Sequence, residues 1–323
     1  MFRRLAVVLS LPRHKTHRAI RPRVLWISWF GHNEPKMGGG FSHRRRTRAR
    51  RAQWVVLLVL WLGHSGPVAA QSGLEQARRL YNAGMFDGAI AAAESSRGGP
   101  RVVSAAALIV ARSRLERFRL LGDLQELEQA RVELMSVNPA DLSAQERIEW
   151  QTGLGEALLF DNQPGPASEV FGTLVSSARA RLAPGGTEKL LEWLAVSVSR
   201  FAETLGGDAR ADQYRRLLSI LTPVLQTEPM SRAAIYWSAV ASRGAGDLDG
   251  AWNVAVAGWV REGSHPDGGS LRNDLERFIV QTVIPERAQA RTGQRLDSRA
   301  TIAEIAALTE GWRAFTQRWS EED

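Results

Sequence analysis

From Leu74 onward, apolar residues recur at intervals of three and four, the period of a helix that packs along one side. Leu74, Ala77, Leu80, Tyr81 and Gly84 form the first such stripe. Ser72-Gly73-Leu74-Glu75 just before it has the form of a capping box, in which the Ser oxygen and the Glu carboxylate each take one orphan backbone N–H. A helix is predicted to start there and to stop at Gly84. Ala89, Ile90, Ala92 and Ala93 then open a second helix that ends at Gly98-Gly99-Pro100. The two make one helix hairpin.

The same pairing continues down the chain. Helices are predicted over Val102–Leu121 and Leu124–Val137, with a turn at Gly122-Asp123 and a stop at Asn138-Pro139. A second capping box, Ser143-Ala144-Gln145-Glu146, opens a third hairpin that carries Trp150, Leu154, Gly155 and Leu158, a turn over Asn162–Pro166, and then Ala167, Phe171 and Leu174. Its turn follows the previous one by 40 residues, which in turn lies 38 after the first. A worn fourth hairpin spans Thr187–Leu205 and Ala211–Leu225 around Gly206-Gly207-Asp208. A clear fifth spans Ala233–Arg243 and Gly250–Arg261. After the Gly- and Pro-rich stretch Gly263–Gly269, one stripe of Leu271, Leu275, Phe278, Ile279 and Val283 predicts a helix bent or ended by Pro285. A last helix is expected from about Ser298 to Trp319. No segment alternates with period two, so no sheet is expected.

One turn is written twice. Ala83-Gly84-Met85-Phe86-Asp87-Gly88-Ala89-Ile90 returns 162 residues later as Ala245-Gly246-Asp247-Leu248-Asp249-Gly250-Ala251-Trp252. Four steps of about 40 residues separate the copies, a spacing at which helix hairpins stack into solenoids. The pattern predicts an all-α fold, a right-handed α-solenoid of about five hairpins over 71–262, with C-terminal helices over 263–323 capping its last apolar face.

Charge changes the picture once its location is considered. The chain is formally +8, but 14 of its 42 Lys and Arg and one of its 34 acids precede Gln71, so the remainder is net −5. The stretch predicted to fold has no basic footprint, and a nucleic-acid partner is not expected. The front segment reads as a secretory signal over 37–70: the Arg44–Arg51 cluster, the apolar run Val55–Leu62, and small residues Gly66-Pro67-Val68-Ala69-Ala70 before cleavage near Ala70/Gln71. Eight apolar residues cover about 12 Å as a helix against a hydrocarbon core of roughly 30 Å, so no stable membrane anchor is expected after cleavage. Residues 1–36 are expected to be a disordered upstream extension. Both a start at Met37 and a long Arg-rich leader fit them. A periplasmic or secreted protein follows. The chain has no cysteine, so disulfides and a lipidated cysteine are excluded. The mature chain of about 250 residues is nevertheless long enough to bury roughly three quarters of its unfolded surface.

At the hairpins the chain resembles the tetratricopeptide repeat family, in which small residues sit where two helices touch and an aromatic fills the space between hairpins. Ala77, Leu80, Phe86, Ala89 and Pro100 match that pattern. So do Gly155, Leu158, Ala167 and Phe171, then Ala239, Leu248, Ala251 and Ala255, while Leu127 departs from it. Steps of 38 to 42 residues exceed the family's usual length of about 34. The resemblance implies a concave groove lined by the first helix of each hairpin, with Arg78, Asn82, Arg112, Glu116, Arg119, Glu149, Glu156, Tyr236, Trp237 and Arg243 facing it. Arginine beside Tyr and Trp is the chemistry of binding hot spots. The family's clamp for a peptide carboxylate needs Lys and Asn where this chain has Leu74, Ser113 and Gly153, so that mode of binding is not expected.

Catalytic sets are sparse. His265 is the only histidine after the predicted cleavage point and sits in a Gly-Ser-His-Pro-Asp stretch; with no cysteine, a Cys/His nucleophile and the usual zinc sites are excluded. Lys189 is the only lysine after the signal, and no G-x-x-x-x-G-K-[ST] run accompanies it. Glu149 and Glu156, seven apart, share one helix face and leave open a carboxylate-dependent hydrolase or lyase acting on cell-wall polysaccharide. The leading expectation is a non-enzymatic, cofactor-free adaptor that binds a protein or peptide partner in the cell envelope.

Overall fold

The computed structural model describes residues 66–98, 100–178, 185–263 and 269–321. The Arg cluster, the apolar run Val55–Leu62 and His265 lie outside the described residues. The described chain is all-α, with no strand among these residues. Its helices are α1 (Gly66–Asn82), α2 (Phe86–Ser95), α3 (Pro100–Leu121), α4 (Leu124–Ser136), α5 (Ala144–Phe160), α6 (Pro164–Ala178), α7 (Gly186–Glu203), α8 (Gly207–Thr227), α9 (Arg232–Gly244), α10 (Leu248–Gly263), α11 (Gly269–Phe278), α12 (Ile284–Thr292) and α13 (Arg299–Glu321). Each of α1 to α10 packs on its successor. The odd-numbered helices also touch one another in series, α1 on α3, α3 on α5, α5 on α7, α7 on α9 and α9 on α11, and so form one continuous row.

The repeated octet folds into the same turn at both places. Gly84 donates to the Tyr81 carbonyl at 3.0 Å and Met85 to that of Leu80 at 2.9 Å; Gly246 donates to Arg243 and Asp247 to Ser242, each at 2.9 Å. This is the Schellman motif, which needs a residue of positive φ at its centre. Gly84 at +72° and Gly246 at +88° supply it. A third copy stands at the end of α5, where Asn162 donates to Leu159 and Gln163 to Leu158, with Asn162 at φ +57° as the non-glycine member. Asparagine is among the few side chains that tolerate this region, which is why the third copy escapes a search for glycine. The octets' Asp also recurs as a tether: Arg117 of α3 reaches Asp87 and Arg287 of α12 reaches Asp249, both at 2.7 Å.

Close approach explains the small residues. A Cβ on Gly155 of α5 would stand 2.7 Å from the ring of Phe171, which is fully buried on α6. Ala77, Ala89, Ala167, Ala239, Ala251 and Ala255 are likewise without exposed surface. Apolar burial runs as a chain of clusters, one around Leu74, Ala89 and Val110, the next around Leu108, Leu127 and Leu134, and the largest around Phe171, Leu194 and Leu217.

Two expectations are corrected. The capping box at Ser143 forms, with Ser143 Oγ accepting from the Glu146 N–H at 3.2 Å and Glu146 returning to the Ser143 N–H at 2.8 Å. The one at Ser72 does not, because α1 already starts at Gly66 and Ser72 lies inside it, where its N–H belongs to the helical ladder. Pro285 neither ends nor begins the helix alone. A π-helical segment, Ile279–Val283, joins α11 to α12, and Ile284 donates to the Ile279 carbonyl. The wider turn accommodates a ring that would clash with the carbonyl four residues back.

At the C-terminus, α13 lies against α12 and presents Trp312 and Phe315 to α10. Trp312 sits between Trp252 and Trp259 at 5.9 and 5.4 Å, and guanidinium groups of Arg272 and Arg287 stack on Trp259 and Trp252.

Candidate functional site

Five of the ten residues singled out from the sequence come together on the row of odd helices. Arg112 of α3 is the hub. Its Nη2 donates to the Tyr81 hydroxyl of α1 at 3.1 Å, its Nη1 donates to the Glu149 carbonyl of α5 at 3.3 Å, and Nη2 lies 3.9 Å from the Glu156 carboxylate. One turn further along α3, Glu116 accepts from Arg119 at 2.7 Å and from Lys189 of α7 at 3.2 Å. The stem of Arg112 passes over Gly153, where a Cβ would stand 3.2 Å from Cδ. The absence of a side chain at Gly153 thus leaves room for the arginine stem and for Leu134 of α4, which a Cβ would approach to 3.1 Å.

Burial sets the electrostatics. Glu156 is 2% exposed, and that burial pushes its carboxyl up from the usual carboxylate range despite the pull of Arg112. Arg112 is buried too, yet the surrounding Glu156, Tyr81 and Glu149 more than offset the cost, and it stays a cation. Burial pushes the Tyr81 hydroxyl up to about 12, against the opposing pull of Arg112. Glu116 goes the other way: burial raises it, but Lys189 and Arg119 together bring it below its ordinary value. Arg112 Nε and Glu156 Oε1 are buried without a hydrogen-bond partner, an unusual condition for charged groups in a folded chain.

Beside this network a cleft of about 150 Å³ opens between α3, α5 and α7. Ile148, Leu190 and Trp193 supply its apolar walls, and Gln145, Glu149, Thr152 and Lys189 its polar ones. Trp193 is held by a run of rings, 5.6 Å from Phe160 and 6.3 Å from Phe171, and its indole N–H is buried with no acceptor.

The remaining residues are occupied elsewhere. Arg78 ion-pairs with Glu146 at the start of α5, and Asn82 is exposed as the last residue of α1. Tyr236 packs edge-on to Trp237 and Phe278 at 5.5 and 6.2 Å, and Trp237 rests on the largest core cluster. Arg243 makes a two-pronged bond to Glu286 of α12, with Nε at 2.8 and 3.0 Å from its oxygens. Sequence reasoning missed Tyr81, which reads as one more apolar position in its stripe, and Trp193. Lys189 carries the visible signal: it is the lone lysine in a stretch otherwise supplied with arginine.

The carboxylates of Glu149 and Glu156 turn to different partners. The Glu149 carboxylate accepts from Gln145 on its own helix at 3.5 Å, and Glu156 faces Arg112. Among the described residues no group of His, Cys, Asp and Glu could hold a metal ion, and no helix is long and apolar enough to cross a membrane. No protein-family model matches the chain, and no curated protein or solved structure matches it.

Proposed function

We propose that the protein is an exported helical-repeat scaffold, a right-handed solenoid similar in plan to tetratricopeptide repeats and closed by α11 to α13, that binds a protein or peptide segment along its row of odd helices. The observation that carries the reading is the cleft between α3, α5 and α7, where cations, carboxylates, an indole and apolar walls meet. Such a mixture suits a peptide, which presents carbonyls, N–H groups and side chains together. The serial contact of odd helices and the Schellman turn in three copies support the repeat plan. Export rests on the Arg cluster, apolar run and small residues before Gln71. The absence of cysteine and of a second histidine after residue 70 favours binding over catalysis.

Site-specific photocrosslinking in the producing cell tests the function. A photoreactive residue in place of Lys189 is expected to give a discrete adduct with one partner, and the same residue in place of exposed Arg215 on α8 is not. Equal labelling at both positions, or none at 189, sinks the reading. Export is tested separately by fusing residues 1–75 to a reporter active only outside the cytoplasm; a silent reporter removes that part of the proposal.

A further inference from the structure

Two openings compete for attention. The larger, about 380 Å³, lies between α6, α7 and α8 and is lined by Ser168, Thr173, Ser176 and Ser177. Every one of those hydroxyls donates to a carbonyl of its own helix, and Arg216 and Glu169 on its rim pair with each other. Among the described residues, none of its lining carries a buried polar atom without a partner. The smaller cleft differs in that two of its lining groups, Arg112 Nε and the Trp193 indole N–H, are buried without a partner.

Its size is informative first. A volume of about 150 Å³ is that of an engineered apolar cavity able to admit benzene, so this half-open cleft has room for a leucine- or phenylalanine-sized group. Its walls suit that occupant. Ile148 and Leu190 are nearly fully buried, and Trp193 is braced by Phe160 and Phe171, so the apolar surface is pre-formed. Around it stand polar groups with bonding capacity left over: Thr152, whose hydroxyl donates to the Ile148 carbonyl and can still accept, Gln145 and Glu149, which bond each other, and the Lys189 ammonium, which pairs with Glu116 and whose side chain is 45% exposed. The Trp193 indole N–H lies buried behind this wall with no acceptor.

We infer that this cleft is an anchor pocket, taking a single Leu- or Phe-class side chain of an extended partner segment whose backbone runs over Thr152, Glu149 and Lys189. The inference rests on the proposed peptide-binding function and adds the chemistry of what is recognised. Affinity comes from the buried anchor, and the opposite charges of Glu149 on α5 and Lys189 on α7 orient the segment.

The test uses the full chain and a display library of random dodecapeptides. Selected peptides are expected to share one aliphatic or aromatic position, and its replacement by alanine to weaken binding about tenfold or more, as burial of such a side chain implies. Thr152→Phe, which fills the opening, is expected to weaken the parent peptide by a similar factor yet leave the alanine-substituted peptide nearly unchanged. Ile148→Ala enlarges the pocket and provides a second arm: it shifts the preference from Leu toward larger rings. Melting curves of both variants check that they fold. Selected peptides that tolerate alanine at every apolar position, or that lose affinity without coupling to residue 152, overturn the anchor pocket but leave peptide binding standing. Selection of no peptide at all overturns both.

Discussion

The middle of the chain and its C-terminal end use the same residue types for opposite ends. In both, arginine meets tyrosine or tryptophan: Arg112 lies 5.7 Å from the Tyr81 ring centre, and Arg272 lies 3.7 Å from that of Trp259. At the C-terminus the rings close on one another, with Trp252, Trp312, Trp259, Phe315 and Trp319 in successive contact and the guanidinium groups of Arg272 and Arg287 on the outer side. In the middle the rings leave a cleft, and the charges beside it are buried in a network with unmet donors and acceptors. An arginine next to an aromatic is therefore no site by itself. What matters is whether the neighbouring helix fills the space between them.

The comparison breaks most sharply at Trp312. It is 2% exposed at the centre of the terminal cluster, so Trp312→Ala is expected to cost about 3–5 kcal/mol, read as a large fall in the denaturant midpoint. Binding at the distant cleft should persist wherever the chain still folds. Arg112→Ala attacks the other region and leaves Glu156 buried without its cation, at an expected cost of about 3 kcal/mol. Pairing it with Glu156→Gln should recover much of the loss in a double-mutant cycle, whereas simple additivity would show that the pair is not coupled.

The buried carboxyl also makes a pH prediction. Because the folded pKa of Glu156 is raised above its unfolded value, the native state holds the proton more tightly. This stabilisation is present below the unfolded pKa and is lost as pH rises through the folded one. Melting temperatures of wild type and Glu156→Gln, compared from acid to neutral pH, should show the wild type losing ground as pH increases. A difference that stays flat, or one that grows in the wild type's favour, contradicts the assignment. Glu116 opposes this with the reverse sign, since its lowered pKa contributes stability that is lost on acidification. The wild-type and Glu156→Gln difference isolates the first effect.

Smaller effects sharpen the account of the repeat. Gly155→Ala drives a methyl into the Phe171 ring and should cost about 1–3 kcal/mol, with part of the loss recovered by Phe171→Leu. Asp87→Asn and Asp249→Asn remove the two equivalent tethers, whose carboxylates are 86% and 81% exposed. Each should shift stability by no more than about 1 kcal/mol and by less in high salt. A larger shift at one of them would mark the two octets as unequal in use as well as in place.

Much of the fold was legible because helix hairpins are local objects. The period of the apolar stripes, the turns at Gly84, Gly122 and Gly246, and the cap at Ser143 depend on residues a few positions apart, and each appears where the pattern puts it. The third turn also falls where the pattern puts it, at Asn162, although its Schellman form is hidden there because asparagine does the work of glycine. The start of α1 and the passage through Pro285 escaped because a helix extends or widens wherever its neighbours allow.

The candidate site divides the same way. Arg112, Glu116, Arg119, Glu149 and Glu156 were legible as polar positions on first helices, whereas Tyr236 and Arg243 share that pattern and are taken up by α11 and α12, and Trp237 by the core cluster around Phe171. The sequence by itself determined that the described chain after residue 70 is helical and that this stretch carries no cysteine and a single histidine, because composition and three- and four-residue periodicity are properties of neighbouring positions. Tertiary structure alone decided that Tyr81, Arg112, Glu156, Lys189 and Trp193 meet. They lie on four different helices, and only the packing of those helices, which Gly153 lets approach closely between α5 and α3, determines which charges are buried and where a cleft is left open.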